Sequence, residues 1–357
     1  MNQTLPQRRR CRPLRHERDD VALFVTNRTI EERFWLHPLV ANGATPCNRQ
    51  GRRAMKAMDR LCDRWYEGKA RQANAAGGKY APKWTGQHLR RLATGLVGAT
   101  IARAQKKCGV EIIAVVVMSN HIHLVIRTPR KNCSEFMRVL KSNLARAVNR
   151  MSGRRGPLWA RRADIQPALD EEASIERAVY CVDNPRKANL VSKAELWPGL
   201  LLCYGLGDAD EIEFEDFCTT AWRKAGRPVD LAPYFRKNML RLSPVPGIDS
   251  EEREAFATVV RTRLAQHAVP EQTQVSVKGA PLGILRILQT SINDRPKQPA
   301  FSKRPYCFGS ALRKREYFQQ MSLIVQAHEG ASVAYLAGHR TAAFPEGTYP
   351  PPITQAA

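Results

Sequence analysis

The chain has 357 residues, 43% apolar and 25% charged, which excludes wholesale disorder and leaves room for about two domains of roughly 150 residues each. No apolar run nears the ~20 residues of a bilayer-spanning helix, and the basic N-terminus lacks the apolar core of a secretory signal, so a soluble, cytoplasmic protein is expected. The net charge of +24 is uneven: residues 1–205 hold 38 Lys and Arg against 17 Asp and Glu, and the rest hold 19 against 16, so the first part points to a polyanionic partner, nucleic acid before membrane.

Residues 1–20 read as a basic, disordered arm. Val21–Thr29 is β-branched and aromatic and predicts a first strand. Residues 41–86 look inserted, with a helical stretch at Arg52–Tyr66 and loop chemistry at 73–79. Gln87–Cys108 reads as a helix ended by Gly109. Val110–Val117 and His121–Arg127 predict two strands joined by a tight connection, hence an antiparallel hairpin. Asn132–Met151 is an amphipathic basic helix with Phe136, Val139, Leu140, Leu144 and Val148 inward. Ala163–Ala168 predicts a short strand. Asp170 can cap a helix running to about Asp183, because Pro185 disfavours helix at Asn184. This order predicts an α+β fold, a ferredoxin-like split βαβ sandwich on a mainly antiparallel sheet. The acidic run 206–216 reads as a linker. It divides a domain at 21–205 from a mostly helical C-terminal extension at 217–357, with helices near Ser250–Gln266 and Ser310–Gly338.

Chemistry is concentrated at two places. In a strand, residues i and i+2 face the same way, so His121 and His123 project together and Ile122, Leu124 and Ile126 project oppositely. Two imidazoles on a rigid strand can present two nitrogens to one divalent metal, which then needs at least one further oxygen ligand. The other reading is an exposed polar pair on a half-buried sheet. In Tyr180-Cys181-Val182-Asp183-Asn184-Pro185, helical spacing puts Tyr180 and Asn184 on one face. The amide oxygen can join a metal shell, and the phenol can be an oxygen nucleophile. The other reading is a rim aromatic followed by a helix stop. Tyr234 and Asn238 share the same spacing in the near-neutral part of the chain and compete for the nucleophile role. The nine cysteines are odd in number and contain no CxxC, which argues against a disulfide framework or a Cys-ligated zinc.

Taken together, VTNRT at 25–29, MSNHIHLVI at 118–126, KSN at 141–143, GPLW at 156–159, DEEA at 170–173 and YCVDNPRKANLV at 180–191 resemble the HUH single-tyrosine transposases. The likeness is to the REP-associated tyrosine transposases and their IS200-like relatives, and it spans roughly residues 21–200. It implies a bacterial single-strand DNA nickase and strand transferase acting through a 5′-phosphotyrosine. Tyr180 would be the nucleophile. His121, His123 and Asn184 would be ligands of Mg²⁺ or Mn²⁺, and the partner would be single-stranded or hairpin DNA. The family includes dimers that exchange the tyrosine helix and monomers, so a homodimer is one expectation. Candidate DNA contacts are Asn27, Arg28, Arg138, Lys141, Arg146, Arg150, Arg154, Arg155, Arg161 and Arg162, whose shared sign suits a phosphate track. A non-catalytic nucleic-acid-binding module and a water-using metal nuclease are the alternatives.

Overall fold

The computed structural model describes residues 14–37, 86–152, 155–226, 232–267, 280–290, 294–296 and 306–353. Residues 1–13 of the expected arm, and the expected insertion except Gly86, lie outside them. Strands β1 (Ala22–Arg28), β2 (Glu111–Met118), β3 (His121–Arg127), β4 (Asp164–Ala168) and β5 (Leu201–Cys203) form one sheet in the order β4-β1-β3-β2-β5. Every pairing in it is antiparallel. Helices α1 (Gly86–Cys108) and α2 (Cys133–Ser152) provide the crossovers of the split βαβ and pack on each other, while α3 (Glu171–Lys187) lies across β2 and β3. The expected ferredoxin-like α+β sandwich is what forms.

The sequence explains the frame. Gly109 takes φ +65°, a left-handed conformation that glycine adopts without a Cβ clash, and its N–H closes α1 on the Gln105 carbonyl at 2.8 Å. Both faces of β3 are buried: Ile122, Leu124 and Ile126 on one, His123 and Val125 on the other. Register is therefore tightly specified, with Thr26 opposite His123 and Arg28 opposite His121. A slip of one residue would reverse every side chain of β3. His123 would lose its Thr26 partner, and a buried polar atom left unpaired costs about 1–3 kcal/mol.

Helix α3 starts where expected, with the Asp170 side chain accepting from the Ala173 N–H at 2.9 Å. It does not stop at Asn184. It runs through Pro185 to Lys187, because proline in the last turn removes only one N–H, and Asp183, Asn184 and Pro185 are all held in the core. The arm is also partly corrected. Residues 14–20 are docked: Arg15 donates to Ser134 Oγ and the Ala163 carbonyl, and buried Glu17 accepts the Ser134 N–H at the start of α2.

The acidic run is not a linker. Its second half forms β6 (Glu211–Phe217), paired antiparallel with β7 (Phe235–Arg241), and this hairpin packs on α1. The carboxylates face cross-strand bases: Glu211 to Arg241, Glu213 to Lys237 and Asp216 to Arg236. Buried Asp216 also pairs with Arg103 of α1 at 2.8 Å. Beyond it lie α4 (Thr219–Lys224), α5 (Arg253–His267), α6 (Ile284–Gln289) and α7 (Ala311–Leu336), so this part is mostly helical with one added hairpin. Phe308 forms an isolated parallel bridge with Ala168, which brings the start of α7 beside β4. No described helix is long and apolar enough to cross a membrane.

Candidate active site

The β-strand alternation and the helical repeat meet at one point. His121 and His123 lie with ring centres 4.7 Å apart on β3. From α3, the Asn184 Oδ1 comes to 3.3 Å from His121 Nε2, and the Tyr180 ring stands edge-on to His123 at 6.0 Å. All four side chains come from a single chain. The Cys181 thiol, one residue past the tyrosine, reaches the His123 carbonyl at 3.6 Å and seats the helix on the strand.

Each imidazole is oriented from behind. His123 is 6% exposed, stacks on Phe24 at 5.2 Å, and its Nδ1 meets Thr26 Oγ1 at 2.9 Å. It is therefore not the exposed polar residue of the alternative reading. His121 Nδ1 lies 2.6 Å from Asn120 Oδ1. The Asn120 amide is itself fixed, because its Nδ2 donates to the Glu32 carbonyl at 3.3 Å. An amide oxygen only accepts, so His121 Nδ1 carries the proton and donates it. In the neutral ring, Nε2 then holds a lone pair, and that lone pair faces another acceptor, Asn184 Oδ1.

Two acceptors facing each other at 3.3 Å suit something positive between them, a proton on the imidazole or a cation. Donors at about 2.1 Å from an octahedral cation sit about 3 Å apart when adjacent, a geometry that suits Mg²⁺ or Mn²⁺. The His121–Asn184 spacing and the chemistry of the three side chains thus fit a divalent metal. Among the described residues no group of three or more His, Cys, Asp or Glu could hold a metal; the set of two histidines and Asn184 has an amide as its third donor.

Cations surround the phenol. The Arg177 guanidinium lies 5.0 Å and Lys187 Nζ 4.6 Å from the Tyr180 ring centre. Burial pushes both side chains below their ordinary pKa, with Glu176 opposing this for Arg177 and Asp183 for Lys187. Asp183, 1% exposed, anchors the end of the helix through two 2.6 Å bonds from Arg186, and His267 of α5 lies at 3.4 Å.

The expected DNA contacts divide. Arg138, Arg146, Arg155, Arg161 and Arg162 are exposed. Arg138 pairs with Glu135 at 3.7 Å, and Arg146 folds back on Ser142 and Asn143. Lys141 is tied down instead: its ammonium donates to the Arg161 carbonyl at 2.7 Å, and burial, helped by Arg15, pushes it down to about 8. It fastens the 156–161 loop to α2. Asn27 is 2% exposed and Arg28 is paired with Glu32 at 3.1 Å, so both belong to the wall rather than to an open surface. The Arg150 side chain and Arg154 lie outside the described residues. The competing pair fails on geometry: Tyr234 closes a 3-10 turn, Asn238 sits in strand β7, and the Asn238 amide donates to Asp216.

Phe24, Thr26, Asn120, Arg177 and Lys187 were not singled out from sequence. Helical spacing from Tyr180 could have found the last two, and adjacency to His121 could have found Asn120.

Comparison with known proteins gives one family match and one distant structural likeness. The family model described as "Transposase IS200 like" matches residues 84–166, which include both histidines and end before Tyr180 and Asn184. No curated protein matches. A solved structure described as a REP-associated tyrosine transposase bound to a REP hairpin aligns at 15% identity with a TM-score of 0.32. The alignment covers 53% of this chain and 81% of that one, too distant a likeness to assign residue roles. The stretch from 84 to 166, which carries the histidine hairpin at the centre of the sheet, is thus similar to the IS200-like transposases.

Proposed function

We propose that the chain nicks and rejoins single-stranded DNA through a covalent bond to Tyr180. The observation that carries this is the convergence, within one chain, of the His121–Asn184 acceptor pair, His123 and the Tyr180 ring. In the reaction, Tyr180 Oη forms a bond to phosphorus as the bond from phosphorus to the 3′ oxygen breaks. The phenol gives up its proton and the leaving 3′ oxygen takes one up, so the products are a 5′-phosphotyrosine and a 3′-hydroxyl. The number of phosphoester bonds is unchanged, so a second 3′-hydroxyl can reverse the step without an external energy source.

His121, His123 and Asn184 would hold Mg²⁺ or Mn²⁺, which when bound supplies Lewis-acid stabilisation of charge on the phosphate. The protein's own part is to orient. Thr26 and Asn120 fix the imidazoles, and α3 brings the phenol beside His123. The exposed Arg155, Arg161 and Arg162 are suited to the DNA backbone. A hairpin substrate is what the sequence resemblance implies.

The test is incubation of the protein with hairpin oligonucleotides and Mn²⁺, followed by a denaturing gel. A covalent product mapping to Tyr180, absent in Tyr180→Phe and in EDTA, is expected. Cleavage without an adduct would establish the water-using nuclease instead, and binding without cleavage the non-catalytic module.

A further inference from the structure

Arg177 and Lys187 stand three residues before and seven after Tyr180, so one helix face carries all three. The Arg177 side chain is only 17% exposed. Its one ion pair among the described residues is to Glu176 at 3.8 Å, an exposed carboxylate at the adjacent helix position. Its Nε is buried and has no hydrogen-bond partner among the described residues. Buried cations are normally paired. Here the pairing is left incomplete against the ring of the proposed nucleophile.

What holds Arg177 in place comes from far along the chain. Its guanidinium carbon lies 4.0 Å from the Phe308 ring centre, closer than to Tyr180 at 5.0 Å or Phe24 at 5.9 Å. Phe308 is fixed by backbone bonds on both sides: its N–H donates to the Pro167 carbonyl, and its carbonyl accepts the Leu169 N–H, each at 2.8 Å. Two residues on, the Ser310 N–H donates to Asp170 Oδ2 at 2.8 Å, and the other oxygen of that carboxylate caps α3. The start of α7 and the start of the tyrosine helix thus share one anchor.

A planar guanidinium can stack face-on against an aromatic ring, which an ammonium cannot do. We propose that Arg177 is the positioning residue of this site, packing against the Tyr180 ring and steadying it for attack, and that Phe308 of the C-terminal part clamps it there. The C-terminal part, to which the sequence assigned no chemistry, is then a working piece of the active site. This inference rests on Tyr180 being the nucleophile.

The test uses the full chain, a hairpin oligonucleotide and Mn²⁺. It reads the single-turnover rate of adduct formation at saturating DNA, and DNA affinity by anisotropy in EDTA. Arg177→Ala should slow the adduct about 100-fold, as misplacement of a reacting group by about 1 Å does elsewhere, while Kd shifts less than about threefold. Phe308→Leu should slow it about 10-fold through the loosened clamp. Arg177→Lys should recover only part of the rate, and added ethylguanidinium should partly restore Arg177→Ala. An unchanged rate in Arg177→Ala overturns the proposal. So does a lost rate with no rescue by lysine or ethylguanidinium, which is the signature of a merely structural arginine. If Arg177→Ala fails to fold, Phe308→Leu and Arg177→Lys decide, and wild-type rates in both overturn it. A wild-type chain that forms no adduct, or a Tyr180→Phe chain that still does, overturns the nucleophile reading and this inference with it. A normal wild-type adduct with an indifferent Arg177 overturns this inference alone.

Discussion

Asn120→Ala isolates the part of the site that sets which nitrogen of His121 is free to bind a cation. The side chain contributes one 2.6 Å contact to His121 Nδ1 and one 3.3 Å bond to the Glu32 carbonyl. Its backbone carbonyl, which accepts from Thr29, is untouched by the substitution. A neutral hydrogen bond contributes about 0.5–1.5 kcal/mol net. At about 1.4 kcal/mol per tenfold, that alone is worth roughly a two- to tenfold change in binding. Partners that orient a metal-bound histidine are worth about 10- to 100-fold in affinity. The expected loss is therefore about tenfold in Mn²⁺ affinity, read by isothermal titration and by the Mn²⁺ dependence of adduct formation. Asn120→Asp keeps an acceptor at the same place and should bind Mn²⁺ at least as tightly as the parent. Folding stability should fall by about 1–3 kcal/mol in Asn120→Ala, because both side-chain hydrogen bonds are lost. An Mn²⁺ affinity unchanged by Asn120→Ala would refute the proton assignment on His121, and with it the view that its Nε2 faces the cation.

Asp183→Asn should destabilise the fold by about 3 kcal/mol, since it leaves the buried Arg186 charge without its bidentate partner; urea unfolding checks this, and a loss below about 1 kcal/mol would contradict it. Leu124→Ala, at a fully buried position of the central strand, should cost about 2–5 kcal/mol by the same measurement. Lys141 has its pKa lowered from 10.5 to about 8 on folding, so between these values the unfolded chain binds more protons and stability from this group rises with pH. That contribution is present above about 10.5 and is lost as pH falls through about 8. Comparing urea midpoints at pH 7.5 and 9.5, the parent should gain on Lys141→Met; parallel behaviour of the two would speak against a depressed ammonium. Replacing Arg161 and Arg162 together with Ala should weaken DNA binding and reduce the slope of log K against log salt by about 2. An unaltered slope would remove them from the phosphate track.

The histidine hairpin and the tyrosine helix were legible because each rests on a strong local signal. Two apolar strands flank a two-residue turn, and Asp170 caps a helix whose repeat aligns Tyr180 with Asn184. Periodicity also fixed which way His121 and His123 face. What local signals could not show is pairing at a distance. The acidic run 206–216 is poor strand sequence by itself, and it becomes β6 only because Phe235–Arg241 brings Arg236, Lys237 and Arg241 opposite its carboxylates. Pro185 predicted a stop that the packed environment of Asp183 and Asn184 overrides. Arg15 and Glu17 belong to a basic, polar stretch, yet each finds a partner on α2. Phe308 carries no mark of its role, since nothing near it in sequence refers to Arg177.

The bridge between Ala168 and Phe308 also bears on how copies of this chain can meet. β4 is the outermost strand on its side, and an open strand edge is a template for a neighbouring chain. Here the Phe308 backbone occupies that rim from 167 to 169, and Pro167 has no N–H to offer there. The opposite rim is β5, only three residues long. Growth of the five-stranded sheet from one molecule into the next is therefore obstructed on both sides, whereas α7 displays Leu312, Leu323 and Val333 to solvent.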